Sequence, residues 1–135
     1  MNNELTQHLQ AFTSLLDNTN RSTQRIIKSI EREDWEAVEF CILNRDRAIS
    51  LIEEKQAAID THINGVDKNH ITPEFIALIK AWAFDTEAWI KYTMKADENI
   101  LVSLEGSKKS ITIEITKLFK SKQAFNGYDL SSTSP

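Results

Sequence analysis

Residues 72–100 read TPEFIALIKAWAFDTEAWIKYTMKADENI and carry the clearest helix signals of the chain. It opens on Thr72-Pro73-Glu74, in which a hydroxyl that can cap a helix precedes proline at the first helical position and then an acid. Further along, one set of side chains recurs at alternating spacings of four and three, which places it along one side of a helix. The members of this stripe are Phe75, Ile79, Trp82, Thr86, Trp89, Thr93, Ala96 and Ile100. We therefore predict a long helix that begins at Pro73.

The same repeat occurs in two earlier segments, residues 5–30 and residues 38–63. At about 1.5 Å per residue, all three stripes are on the order of 40 Å long. Asp34 can cap the second helix, and Gly65 can end it because glycine supplies the left-handed residue that commonly closes a helix. The short connections predict an all-α fold, an antiparallel three-helix bundle in which the chain runs up, down and up.

The C-terminal part of the chain continues the apolar pattern after a shift of phase at Gly106. Residues 111–116 alternate with period two and are rich in β-branched side chains, so a strand is an alternative. We favour a helix, because a lone strand would have no sheet to join. Residues 107–125 are then a helical arm that either extends the third helix or folds back as a short fourth helix. We assign residues 1–125 to one domain and residues 126–135 to a flexible tail.

The composition favours a globular domain. The chain has 135 residues, of which 41% are hydrophobic and 27% charged, unlike a disordered or membrane-spanning chain. The formal charge of −4 divides into +1 over residues 1–30, −5 over 31–60, −3 over 61–107 and +3 over 108–135. Such a chain lacks the broad basic face of a general nucleic-acid binder, so we expect neither nucleic acid nor a membrane as a partner. One cysteine and the absence of a signal-peptide pattern predict a cytoplasmic protein.

Two polar positions interrupt the apolar layers of the predicted bundle. Gln56 falls in a layer with Phe12 and Trp82, where its side chain can accept the indole N–H. Arg45 falls in a layer with Thr23 and Thr93, which is unusual for a core.

Two placements of this arginine are open. In the placement that we favour, Arg45 lies at the edge of the apolar stripe of the second helix, and its side chain extends to Asp46 or Glu53. In the other, a buried polar layer fixes the register of the helices and weakens the bundle locally.

The third helix carries more apolar surface than a three-helix core requires. A second apolar line accompanies its main stripe and consists of Ile76, Ala83, Ile90, Met94 and Leu101, with Phe84 and Tyr92 besides. The arm, a second copy of the protein in a homodimer, or a client helix are candidates to cover this surplus. A purely structural excess is the remaining interpretation.

Signatures of catalysis are absent from the sequence. It contains no G-x-S-x-G, no phosphate-binding loop, no dinucleotide fingerprint and no pair of cysteines. The nearest approach to a diiron ligand pair is Asp67-Lys-Asn-His70, which is single and lies in a predicted loop. We therefore expect no enzyme, no cofactor and no metal site.

Two stretches in the C-terminal half resemble a known family. They are Lys95-Ala-Asp-Glu-Asn-Ile-Leu-Val-Ser-Leu104 and, after a lysine-rich amphipathic segment, Ser121-Lys-Gln-Ala-Phe-Asn-Gly-Tyr128. They resemble bacterial flagellar export chaperones, most of all the FliT type, with the FlgN type close behind. The pattern of the first helix and the Trp35-Glu-Ala-Val entry to the second also suit that family.

The resemblance implies a non-enzymatic cytosolic chaperone that holds the C-terminal helix of an axial flagellar subunit and delivers it to the export apparatus. The client is the filament cap protein for the FliT type and a hook-filament junction protein for the FlgN type. The resemblance further implies that the arm can cover the empty client site and that the protein restrains the flagellar master transcription activator. It also implies a C-terminal tyrosine presented to the export gate, for which Tyr128 is the match and Phe125 fits nearly as well.

The predicted partner-binding residues follow from these two arguments. On the third helix we select Trp82, Trp89 and Ile90, or whichever of these three is exposed, and on the arm we select three apolar residues. These residues are Trp82, Trp89, Ile90, Ile111, Ile115, Leu118, Phe125 and Tyr128.

Overall fold

The computed structural model describes residues 3–107 and 109–123, and it confirms the all-α prediction. Within these residues four α-helices follow one another, with a short 3₁₀ turn, Lys68–His70, after the second. They are α1, Asn3–Glu31; α2, Trp35–Asn64; α3, Pro73–Glu105; and α4, Ser110–Gln123. Residues 111–116 lie inside α4, so the strand alternative is excluded, and the arm is the short fourth helix. The predicted tail, residues 126–135, lies outside the described residues.

Two of the predicted helix starts have the expected caps. The Asp34 carboxylate accepts the N–H of Ala37 at 3.2 Å, and the Thr72 hydroxyl accepts the N–H of Phe75 at 3.1 Å. Each cap satisfies one of the N–H groups that a helix leaves unpaired at its start. Local sequence chemistry therefore determines where α2 and α3 begin.

Among the described residues, the left-handed position that closes a helix is not the predicted one. Gly65 follows α2 with φ −90°, so its predicted left-handed role is wrong. A left-handed residue instead closes α1, where Glu33 has φ 55°. The N–H of Glu33 bonds to the carbonyl of Ile30, and the N–H of Asp34 bonds to the carbonyl of Ser29. This pair of bonds is a Schellman closure, which places Asp34 where it caps the next helix.

The four helices do not pack equally. α1 and α2 form the closest antiparallel pair, α3 runs parallel to α1, and α4 packs against both α2 and α3. Lys109 pairs with Glu33 and Lys122 with Asp46, and in both pairs the residues are 76 positions apart. This constant register shows that α4 lies parallel to α2 and accompanies only its first half.

The core consists of two apolar clusters separated by a polar layer. The first cluster contains Leu5, Leu9, Phe12, Leu16, Ile49, Ile52, Ile59, Trp89 and Ile90. The second cluster contains Ile26, Val38, Cys41, Ile42, Ile100, Leu104, Ile115 and Phe119. Each of the three long helices passes from one cluster to the other through buried polar residues, which are Thr19, Ser22, Thr23, Arg45, Thr93 and Asp97. We call these six residues the polar layer.

Candidate functional site

The position that α4 occupies between α2 and α3 is filled at only one end of the bundle. The last described turn of α4 reaches Asp46, whereas α2 continues to Asn64. Beyond that turn, no described helix lies between α2 and the first half of α3. We call this half-length channel the open groove.

The α3 wall of the open groove is apolar. Asp97 faces α2, and residues at heptad spacing before it share its side of α3. Counting back by seven residues from Asp97 gives Ile90, Ala83 and Ile76. Ile90 is buried, whereas Ala83 and Ile76 are exposed, Ile76 to 44%. The exposed part of this wall therefore lies toward the start of α3.

The α2 wall of the open groove is acidic. Asp46 faces α4, and Glu53 and Asp60 follow it at intervals of seven residues on the same side of α2. Both carboxylates are half-buried. One wall of the groove is thus apolar and the other carries negative charge. This combination suits an amphipathic helix with an apolar side and a basic side.

The predicted partner-binding residues divide between core and surface. Trp89, Ile90 and Ile115 are 4%, 7% and 2% exposed, so in this conformation they are core residues and offer no surface to a partner. Trp82 and Leu118 are half-buried, and Ile111 is exposed. Phe125 and Tyr128 lie outside the described residues.

Periodicity did not distinguish the exposed apolar side chains of α3 from its core. The most exposed are Phe84 at 73% and Val102 at 74%, which lie on the outer side of the helix. Ile76, Tyr92 and Met94 are also exposed. Ile76, Phe84, Tyr92 and Met94 were part of the predicted apolar surplus, whereas Val102 was missed. The signal that could have identified Val102 is its position in the heptad, which points outward from the bundle four residues before Gly106.

Trp82 lies where the sequence layers place it, but its predicted hydrogen bond is wrong. Its ring meets the Phe12 ring edge-on with centroids 5.9 Å apart. The indole N–H is buried and has no acceptor among the described residues. The Gln56 amide points along its own helix and donates to the Asp60 carboxylate at 3.2 Å. The indole of Trp82 is thus a buried donor that packs against α1.

Arg45 is in the core, and its predicted extension to Asp46 or Glu53 is wrong. Only 3% of it is exposed, and its Nη1 donates to the Asp97 carboxylate at 2.7 Å and to the Thr23 hydroxyl at 3.1 Å. The guanidinium carbon also lies 5.2 Å from the centroid of the Phe119 ring, within cation–π range. Arg45 therefore connects three other helices: α1, α3 and α4.

A second hydrogen bond in the polar layer connects α1 to α3. The Trp89 indole donates to the Thr19 hydroxyl at 2.8 Å, and that hydroxyl donates to the Leu16 carbonyl at 2.8 Å. Buried donors of this kind are satisfied only when the helices are in one register, because a shift of one turn removes the acceptor. The polar layer therefore specifies how α1 and α3 align.

Asp97 has a pKa raised above its ordinary 3.8, because burial disfavours its charged form more than the Arg45 guanidinium favours it. The folded state then holds this proton more tightly than the unfolded chain does. The stability that this carboxyl contributes should fall as pH rises from about 3.8 through the native pKa.

We expect this pH dependence to vanish in Asp97→Asn. Urea denaturation of both proteins from about pH 4 to about pH 7 gives the measurement, and the quantity is the wild-type free energy of unfolding minus that of the variant. That difference should decrease as pH rises, and an increase would contradict the raised pKa.

The α4 helix is held by apolar burial more than by its ion pairs. Ile115 and Phe119 are fully buried in the second cluster. Lys120 lies 3.6 Å from Glu105, and Lys122 lies 3.5 Å from Asp46, in pairs that remain partly exposed. Exposed pairs contribute about 0–1 kcal/mol each, whereas one buried aromatic contributes more. The two lysines therefore align α4 between α3 and α2, and the apolar residues hold it there.

Comparison of the chain with known protein families, curated proteins and solved structures found no match. Within residues 3–107 and 109–123, no three His, Cys, Asp or Glu side chains are grouped so that they could hold a metal ion. None of the helices in that part of the chain combines the length and apolarity that crossing a membrane requires.

Proposed function

We propose that this protein is a helix-binding chaperone of the flagellar export type, acting by stoichiometric binding and without bond chemistry. The observation that carries the proposal is the open groove, a half-length position for a fourth helix. Its apolar wall includes the exposed Ile76, and its acidic wall carries Glu53 and Asp60. A client helix bound there would lie end to end with α4 and cover apolar surface that α4 does not reach.

The packing of α4 indicates the chemistry of such a client. α4 buries Ile115 and Phe119 and directs Lys122 to Asp46 on α2. The same acidic line continues through Glu53 and Asp60 into the open groove. A client helix with one apolar side and lysine or arginine beside it would repeat this arrangement.

The resemblance to flagellar export chaperones supplies the biological part of the proposal. The client would be the C-terminal helix of the filament cap protein or, as the second candidate, of a hook-filament junction protein. The chaperone would be cytoplasmic, would pass the client to the export apparatus and would also restrain flagellar transcription. Tyr128, or Phe125 in its place, would contact the export gate.

Self-association is a second candidate function with an observation of its own. Phe40 and Leu51 on α2 are 68% and 49% exposed, and Ile111 and Ile113 on α4 are exposed too. Apolar residues of this kind can pair two copies of a chain. Light scattering of the purified protein distinguishes the two functions, since the chaperone proposal expects a monomer that forms a one-to-one complex with its client.

The test is titration calorimetry with synthetic C-terminal helices of a filament cap protein and a junction protein. Ile76→Asp places a charge on the apolar wall and should weaken binding at least tenfold, because about 1.4 kcal/mol of lost burial corresponds to a factor of ten. Val102→Asp is the matched control, since the same change on the outer side of α3 should leave affinity unchanged. Equal effects of the two variants, or no binding of either helix, would refute the proposal.

A further inference from the structure

Four basic residues form a line along α1 on the surface of the bundle. Arg21, Arg25, Lys28 and Arg32 are spaced by four, three and four residues and are all exposed. We call them the basic stripe. At about 1.5 Å per residue the stripe is roughly 16 Å long. Neighbours at this spacing repel each other and destabilise an isolated helix, so the stripe has a cost within the bundle.

The stripe differs from the lysines of α4 because no acid pairs with its charges. Lysines of α4 approach acids on α2 and α3, as in the pairs Lys122–Asp46 and Lys120–Glu105. In the described part of the chain, no acid forms an ion pair with any member of the stripe. Arg21 is held instead by a 2.7 Å hydrogen bond from its Nη2 to the Asn18 side chain. The α1 helix dipole favours cations in the last turn, but Arg21 and Arg25 lie too far from that end to benefit.

A cleft beside the stripe offers further groups for recognition. It has a volume of about 400 Å³, and besides three members of the stripe it is lined by Asn20, Gln24 and Tyr92. The Tyr92 hydroxyl receives a hydrogen bond from Gln24, which fixes the ring at the rim. The Asn20 side-chain oxygen is buried and has no donor among the described residues.

We propose that the basic stripe and this cleft bind an acidic helical segment of a partner protein. Guanidinium groups match carboxylates in a two-pronged geometry, and the helical spacing of the stripe matches carboxylates repeated at the same spacing on a facing helix. The cleft is a shallow surface feature, which favours a polypeptide over a small molecule that needs enclosure. Asp17 and Asp85 line the adjoining cleft and would repel a phosphate backbone that continued past the stripe.

This surface is separate from the open groove. The stripe lies on α1, whereas the groove lies between α2 and α3, so an apolar client helix and an acidic partner can bind the same molecule together. The inference therefore does not depend on the client-binding proposal, and a variant of one surface should leave the other intact.

The experiment is fluorescence anisotropy of the full-length protein with a labelled synthetic helix of about 20 residues that carries glutamate at i, i+4, i+7 and i+11. We expect it to bind at least tenfold more tightly than a peptide of the same composition with scrambled glutamates, and to weaken as salt rises. R21E/R25E/K28E should abolish binding. K68E/K80E/K95E makes the same change of charge elsewhere and should bind as the wild type does, as should Ile76→Asp.

Three outcomes would overturn the inference. Equal loss in both triple variants would show that net charge alone is responsible, and equal binding of the scrambled peptide would show that spacing is irrelevant. Tighter binding of a DNA duplex or of inorganic phosphate, displacing the acidic helix from the wild type, would identify a phosphate site instead. Circular dichroism of each variant establishes that the helices remain folded. Gln24→Ala combined with Tyr92→Ala is a second test of the cleft, and it should weaken binding of the acidic helix less than the triple variant of the stripe does.

Discussion

Asp97→Ala is expected to lower the free energy of unfolding by about 3–5 kcal/mol, because it leaves the buried Arg45 guanidinium without its counter-charge. Arg45 is 3% exposed and Asp97 is 5% exposed, so water can replace little of the lost interaction. The Thr23 hydroxyl still accepts from Arg45, but it carries no charge. Chemical denaturation at neutral pH with circular dichroism gives the measurement.

A double-mutant cycle separates the cost of an orphaned charge from the value of the ion pair. Arg45→Leu alone leaves Asp97 buried and unpaired, and should also be strongly destabilising. Replacing both residues with leucine removes both charges and should return the stability to near the wild-type value, or raise it by about 1–4 kcal/mol. If the double variant is as unstable as either single one, the pair stabilises the fold and the orphaned-charge explanation fails.

The double variant also tests what the polar layer does. Between two apolar clusters, a layer that pairs only in one register penalises shifted packings of the helices. We expect the double leucine variant to keep the fold but to pack its helices in a less uniquely defined register. Its amide resonances should then be broader at unchanged helix content. Unchanged resonances would show that the Trp89–Thr19 bond alone is sufficient to set the register.

Much of the fold follows from residues close together in sequence. Asp34, Thr72 and Pro73 act within four residues of themselves, so the starts of α2 and α3 could be predicted. The heptad stripes likewise predicted which residues of α1 and α2 are buried. The closure of α1 at Glu33 could not be predicted, because an acid in the left-handed region is uncommon and glycine is the usual signal.

The partner of Arg45 could not be found from the stripes, because it depends on the distance between helices. The layers placed Thr93 opposite Arg45, but the long arginine side chain reaches one turn further, to Asp97. Glu53 and Asp46 were nearer in sequence, and Asp46 pairs with Lys122 instead. Charge pairing across a bundle is thus decided by side-chain length and tertiary position, which a single-helix pattern does not contain.

The candidate site was predictable only in outline. Excess apolar surface on the third helix was read from its composition, and exposed side chains such as Ile76 and Phe84 account for it. Trp89 lies inside because its indole donates to Thr19 on α1, a contact between helices that the pattern of α3 does not contain. The α4 helix covers one half of the α2–α3 channel and leaves the other half open. The length of α4 is therefore the quantity that determines where the open groove begins.

Phe119→Ala is expected to lower the free energy of unfolding by about 3–5 kcal/mol and to release α4 from the bundle. The ring is fully buried in the second cluster and lies beside the Arg45 guanidinium, so its removal leaves a cavity and deprives that charge of a cation–π contact. A free helix of about 14 residues is marginal in water, so α4 should lose much of its helicity once detached. Hydrogen exchange resolved along the chain gives the measurement.

The distribution of faster amide exchange among the helices is more informative than the overall increase in exchange, because it shows whether α4 is a separate folding unit. If α4 is held mainly by Ile115 and Phe119, its amides should exchange faster while those of α1 and of the second half of α2, which α4 does not contact, keep their protection. Ile113→Ala is the matched control, since Ile113 is 48% exposed on the same helix and its truncation should change stability by less than about 0.5 kcal/mol. Equal loss of protection in all four helices would mean that the bundle opens as one unit. In that case α4 cannot leave without unfolding the rest, and a client helix would be confined to the open groove.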